Sequence, residues 1–201
     1  MHNKHLKFIF PQSLYIVDNL MVNKLKDFEE NIKKIADEKG TNSCEFLTVK
    51  SSFSIYDKMY NDENFKELAI EIKKHCLNYL KELGLDYMSD DLNYVQMWFN
   101  ISHQGDFNIP HVHGNSIISG AYYVKGSKEH QITFFKNISN MMPPAVPDVE
   151  LGKAIETIDC IPGRLILFKS DLMHGNGSQK DGEKIVISFN LGNAKLTDLC
   201  N

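Results

Sequence analysis

From residue 93 onward the chain reads as short segments rich in Tyr, Phe, Ile and Val, at 93–102, 116–125, 131–136, 155–160, 163–168 and 184–191, divided by turn residues. Segments of that length and composition are strands. No helical period intervenes between them, so the pattern predicts a jelly roll or related double sheet. The part before residue 93 differs. Met21, Leu25, Phe28, Ile32 and Ile35 step by four and three, which draws one apolar stripe along a helix over 19–39, stopped by Gly40. A second stripe (Phe65, Leu68, Ala69, Ile72, Cys76, Tyr79, Leu83) predicts a helix from an Asp62 cap to Gly84. Both helices are amphipathic, so both are expected to lie against a sheet. The fold class is α+β with a mainly β core: one domain over 1–201, with 1–92 as helical support and 93–191 as the core.

Composition narrows the function. With 42% apolar and 24% charged residues the chain can bury a core, which excludes disorder. No apolar run approaches the roughly 18 residues of a membrane helix, and Lys7 and Pro11 interrupt any signal-peptide core. We expect a cytoplasmic protein with no membrane partner. The formal charge is −4 and the lysines are dispersed, which argues against nucleic acid. Arg164 is the only arginine, so lysine can stand where arginine is usual. Cys44, Cys76, Cys160 and Cys200 lie 32, 84 and 40 apart, match no zinc spacing, and are expected to be free thiols. The segment 137–154, with Met141, Met142 and three prolines, has no period and reads as a long loop.

His111-Val112-His113 is the first feature that suggests chemistry. On an extended strand residues i and i+2 face one side, so both imidazoles can address one metal. Alone, such a pair is more often the mark of unrelated histidines. His174 follows 63 residues after His111, behind the apolar Leu165-Ile166-Leu167-Phe168. A facial Fe(II) site needs two neighbouring ligands and a histidine on a distant strand, with positions left open. Ten residues past His174, Lys184 opens a strand on which Lys184, Val186, Ser188 and Asn190 share one face.

The stretch from His111 to Val124, including Tyr122-Tyr123, resembles the His-x-Asp strand and following Tyr-Tyr strand of prolyl-hydroxylase-like 2-oxoglutarate/Fe(II) dioxygenases. Pro162-Gly163-Arg164-Leu165-Ile166-Leu167-Phe168, His174 and Glu183-Lys184-Ile185-Val186-Ile187-Ser188-Phe189-Asn190 resemble the second half of that core. The likeness covers about 93–191 and is nearest to small oxygenases of bacteria and phages. It implies a double-stranded β-helix, the jelly-roll or cupin-like form, supported by the two helices. It further implies that His111 and His174 ligate Fe(II), and that Tyr123 and Lys184, with Ser188 nearby, hold 2-oxoglutarate. O2 would then be consumed, succinate and CO2 released, and a substrate hydroxylated. The substrate is expected to be an amino-acid side chain of a protein or peptide, or a small metabolite; nothing in the sequence fixes the oligomeric state.

The departure is His113, where the family usually has a carboxylate. Three readings stay open: a three-histidine site of His111, His113 and His174, a two-histidine site completed by water or an anion, or an inactive site. A rival class is a cupin-like three-histidine metal protein that does not use 2-oxoglutarate. That rival gives Lys184 and Tyr122-Tyr123 no task. Arg164 is a secondary candidate for the carboxylate clamp, Trp98, Phe99, Asn100 and Asn108 are candidate pocket walls, and 137–154 with 103–108 is a candidate lid.

Overall fold

The computed structural model describes residues 12–44, 47–136 and 154–193. Strands β1 (Leu14–Val17), β2 (Asn42–Cys44) and β3 (Leu47–Ser51) lie among the helices α1 (Leu25–Lys39) and α2 (Lys66–Glu82). The core strands follow: β4 (Leu92–Ser102), β5 (Asn108–His111), β6 (Ile118–Lys125), β7 (Gln131–Phe135), β8 (Ile155–Asp159), β9 (Leu165–Lys169), β10 (His174–Asn176) and β11 (Lys184–Asn193). Hydrogen bonding runs in one path, β1-β9-β6-β11-β4-β3-β5-β10-β7-β8, with β2 beside β3. The path turns at the narrow pairing of Leu47 with Asn108. A larger sheet, β1-β9-β6-β11-β4-β3, therefore faces a smaller one, β5-β10-β7-β8, in a double-stranded β-helix.

Alternation along the central strands decides what each sheet face meets. Tyr122 and Val124 of β6, Leu165 and Leu167 of β9, and Ile185, Ile187 and Phe189 of β11 share one cluster with Phe28, Ile32, Ile35, Phe65, Leu68, Ile72 and Cys76. The helices therefore cover the outer face of the larger sheet. The intervening residues Ala121, Tyr123, Ile166, Phe168 and Val186 form a second cluster with Ile132, Phe134, Cys160 and Leu172 inside the β-helix. Burial on both faces explains why these strands read as near-continuous apolar runs.

A ring of four charges ties α1 to the end of the β-helix where β11 begins. Lys33 meets Glu29 and Glu183 at 2.7 and 3.0 Å, and Lys125 meets the same two carboxylates at 2.8 and 3.0 Å. Single exposed pairs contribute little, but here each carboxylate serves two ammonium groups. Hydrogen bonds from Lys125 and Lys33 hold the Glu29 carboxyl below its usual range.

Both helices start later than their stripes predict. Asn19 and Met21 take left-handed conformations (φ 62° and 48°), so the regular helix begins only after the turn Val22–Lys24. The Asp62 carboxylate accepts the Asn64 N–H at 2.8 Å and caps a separate turn, which delays α2 to Lys66. The C-terminus of α1 is as expected, with Gly40 at φ 79° donating its N–H to the Ala36 carbonyl. Strand β5 ends at His111, so His113 lies beyond the strand on which the i, i+2 argument places it. Cys76 and Cys160 are free and buried. No helix among the described residues is long and apolar enough to cross a membrane. All of the 137–154 segment except Ala154, together with Cys200, lies outside the described residues.

Candidate metal centre and its cavity

His111 and His174 are cross-strand partners, closing β5 and opening β10. Their approach depends on Gly175. A Cβ there would sit 2.8 Å from the Asn108 carbonyl oxygen and 3.0 Å from the Pro110 nitrogen, so any side chain would force the two strands apart. His113 arrives from the turn after β5, where its N–H donates to the Ser170 carbonyl at 2.9 Å. The three ligand nitrogens lie within 4.8 Å of one another, and the Nε2 atoms of His113 and His174 are 3.2 Å apart. With metal–nitrogen bonds of about 2.1 Å, two nitrogens at that separation subtend about 100° at the metal. Adjacent ligands of a tetrahedral or octahedral ion do the same.

The ring orientations suit that use. His111 Nδ1 donates to the Ile109 carbonyl at 2.8 Å, and His174 Nδ1 donates to the Leu172 carbonyl at 2.9 Å. A carbonyl can only accept, so each Nδ1 carries the proton and each Nε2 keeps a bare lone pair. Burial, with His111 alongside, pushes His174 down to about 3 and His113 down to about 4. Both rings are therefore neutral at ordinary pH, the state a metal requires.

The histidines open onto a cavity of about 310 Å³ between the sheets. Ser102, Asn100, Trp98 and Gln96 of β4 line it beside Lys184, Val186 and Ser188 of β11, with Tyr123 from β6. Apart from the histidines, Lys184 is the only Lys, Arg, Asp or Glu among the described residues of that lining, and it is 2% exposed. Burial lowers the Lys184 ammonium from its ordinary value, and no ion pair joins it to any described residue. Such a charge is costly unless an anion meets it. The Ser188 hydroxyl accepts from the Asn100 amide at 3.1 Å, and burial raises the Tyr123 phenol well above its ordinary value. Tyr122 points the other way and donates to the Leu20 carbonyl.

Arg164 takes no part. Its guanidinium forks onto Asp18 at 2.6 and 3.0 Å, away from the cavity. Among the other described histidines, His75 meets the Tyr15 hydroxyl, His103 lies beside Glu183 and Asp106, and His130 reaches the Asp181 carbonyl. Trp98 and Asn108 line the cavity, whereas Phe99 is buried on the helix-facing side. Sequence reasoning missed three features: Phe53, whose ring packs edge-on against Trp98 at 5.2 Å, Gly175, and the side chains behind His113. Their partners are distant in the chain and carry no local signature.

Residues 96–190 match the family model described as "Putative 2OG-Fe(II) oxygenase". No curated protein sequence matches the chain. Among solved structures, a Pseudomonas putida prolyl-4-hydroxylase superposes with TM-score 0.64 at 10% identity, over 90% of this chain and 93% of that one. The viral collagen prolyl hydroxylase of Paramecium Bursaria Chlorella virus-1, solved as a 2-oxoglutarate complex, gives 0.57 at 16%, over 89% and 94%. HygX from Streptomyces hygroscopicus, solved with nickel and 2-oxoglutarate bound, gives 0.62 at 11%, over 91% and 84%. At such identities the superpositions speak for the fold, while the sequence match spans the segment holding all three histidines and Lys184. Residues 96–190, just under half of the chain, thus match the 2-oxoglutarate/Fe(II) oxygenases, a family of oxidoreductases, and the fold is the double-stranded β-helix of the superposed structures.

Proposed function

We propose that the protein is an Fe(II)- and 2-oxoglutarate-dependent dioxygenase in which His111, His113 and His174 hold the metal and Lys184, Tyr123 and Ser188 hold the co-substrate. One observation carries the reading: a buried ammonium that no described carboxylate meets at ion-pair distance, Asp106 acting only from beyond it, lines the same cavity as three converging imidazoles. The donor set fits a divalent ion, because two rings present bare Nε2 atoms and burial keeps His113 and His174 neutral. When bound, iron with 2-oxoglutarate and O2 supplies the oxidising power to hydroxylate a C–H bond, with succinate and CO2 as the other products.

The chain's own residues orient and shield. Lys184 and the Tyr123 hydroxyl meet one carboxylate of the co-substrate, and the Asn100–Ser188 bond stiffens the wall beside it. Val186, Phe168 and Ile132 keep water from the reacting centre. The remaining wall, with Trp98, Phe53 and neutral amides, suits an uncharged group on a peptide or small metabolite. HygX has been solved with hygromycin B bound, and a Trichoplax adhaerens prolyl hydroxylase with a peptide fragment, so relatives of this fold take both kinds of substrate. The free buried thiols of Cys76 and Cys160 support a reducing, cytoplasmic setting.

The three-histidine set also suits a cupin-like metal protein without 2-oxoglutarate, and Lys184 separates the two readings. Thermal unfolding with Mn(II), which avoids iron oxidation, tests this. We expect 2-oxoglutarate to raise the midpoint when Mn(II) is present and much less without it, since ligands stabilise the state they bind. Glutarate, which lacks the oxo group that chelates, should do little. A midpoint that ignores millimolar 2-oxoglutarate in the presence of the metal would favour the rival.

A further inference from the structure

His113 stands where the family usually has a carboxylate, and unlike His111 and His174 its Nδ1 is not anchored to a backbone carbonyl. It faces the amide nitrogen Nδ2 of Asn190 at 3.1 Å. The Asn190 Oδ1 accepts from the Ser119 hydroxyl at 2.8 Å, and that hydroxyl is 2.8 Å from the Ser170 hydroxyl. Asn190, Ser119 and Ser170 are all buried. The chain of contacts closes on itself, because the Ser170 carbonyl accepts the His113 backbone N–H. His113 is thus held by backbone and ring from the same buried group of side chains.

An amide can meet Nδ1 in two ways, and they have opposite consequences. If the amide nitrogen donates to Nδ1, the neutral ring carries its proton on Nε2, which then has no lone pair for a metal. If the amide oxygen accepts from Nδ1–H, Nε2 is bare and aimed with the other two. Two serine hydroxyls at the far end allow either sense, since a hydroxyl donates or accepts by rotation. Nitrogen and oxygen of an amide have almost the same shape, so hydrogen bonding alone assigns them.

We propose that Asn190 is the positioning residue of His113: its amide, oriented by Ser119 and Ser170, selects the ring tautomer and so decides whether His113 joins the metal. The inference rests on the three-histidine reading above and deepens it. The metal-ready sense turns the amide over from the orientation seen here: the Asn190 oxygen accepts His113 Nδ1–H, the Asn190 nitrogen donates to Ser119, and Ser119 donates to Ser170. Asn190 then does for the third imidazole what the Ile109 and Leu172 carbonyls do for the other two. Leucine, of similar size, cannot accept. Aspartate accepts only, and so enforces the metal-ready tautomer.

The test uses the full chain with Zn(II) alone as probe and reads affinity by chelator competition and ring tautomers by 15N NMR of labelled histidine. In the wild type we expect three rings bound through Nε2, with a proton on each Nδ1. Asn190→Leu should weaken Zn(II) about 10–100-fold, as losing a support behind a ligand does, and its His113 ring should leave the bound pattern. Asn190→Asp should restore the three-ring pattern, which a merely structural role for Asn190 would not require. If Asn190→Leu keeps all three bound rings and wild-type affinity, the positioning role is wrong while the three-histidine site stands. If the wild type itself shows only His111 and His174 bound, the three-histidine reading falls and this inference with it. Should Asn190→Leu not fold, an Asn190→Asp protein whose His113 ring stays off the metal, while the wild-type ring is bound, overturns the proposal.

Discussion

His174→Ala is expected to lower divalent-metal affinity by more than about 100-fold, beyond the usual loss for a residue that only supports a ligand. His174 is the hub of the cluster. Its ring lies 4.5 Å from that of His111 and 5.1 Å from that of His113, and its Nδ1 is committed to the Leu172 carbonyl. Removing it leaves two imidazoles on one short stretch of chain, with nothing opposite to close the site. Metal titration of the variant, with denaturant unfolding to show that it is folded, checks this. The His113→Ala variant separates the open alternatives, because full metal content there would mean a two-histidine site.

Replacing Lys184 by methionine is expected to act in opposite directions on ligand and fold. A charge-assisted contact to a shielded carboxylate contributes about 2 kcal/mol or more, so 2-oxoglutarate affinity should drop at least about 30-fold with metal affinity nearly unchanged. Without co-substrate, the variant should be more stable than the wild type, because it no longer buries an unpaired ammonium. Burial lowers the folded-state lysine below its ordinary 10.5, so the unfolded chain holds the proton over a window where the folded one does not. Wild-type stability therefore gains with rising pH across the window from the lowered value to 10.5, and the advantage of methionine shrinks there. Unfolding both proteins at neutral and alkaline pH measures that difference. An unchanged 2-oxoglutarate affinity would remove Lys184 from the clamp.

Local patterns carried much of this fold. The helical stripes named Phe28, Ile32, Ile35, Leu68 and Ile72 as buried, and they are, because amphipathic period reports directly which face meets a sheet. The six apolar strands were legible for the same reason. Strands β1, β2, β3, β5 and β10 were not, being three to five residues long; all but β1, which is apolar but only four residues, also carry Asn, Ser, Pro or His where apolar side chains would mark a strand. Two of them, β5 and β10, deliver the histidines. The three histidines that converge are legible by motif and resemblance, yet the reason for one of them is not: the i, i+2 pattern puts His113 on a strand, and it lies past the strand's end. Asn190 shares the inner face of β11 with Lys184, as alternation predicts, but its contact with His113, 77 residues away, is purely tertiary.

In the proposed site one cavity chelates iron and a 2-oxo acid together. The direct measurement is the visible spectrum of the protein under strict anaerobiosis, first with one equivalent of Fe(II) and then with 2-oxoglutarate. We expect no visible band with iron alone, a weak band when 2-oxoglutarate is added, and its loss on admitting O2 as succinate appears. Lys184→Met should need far more 2-oxoglutarate to reach the same intensity. Iron bound at one equivalent with no band at saturating 2-oxoglutarate would contradict the account.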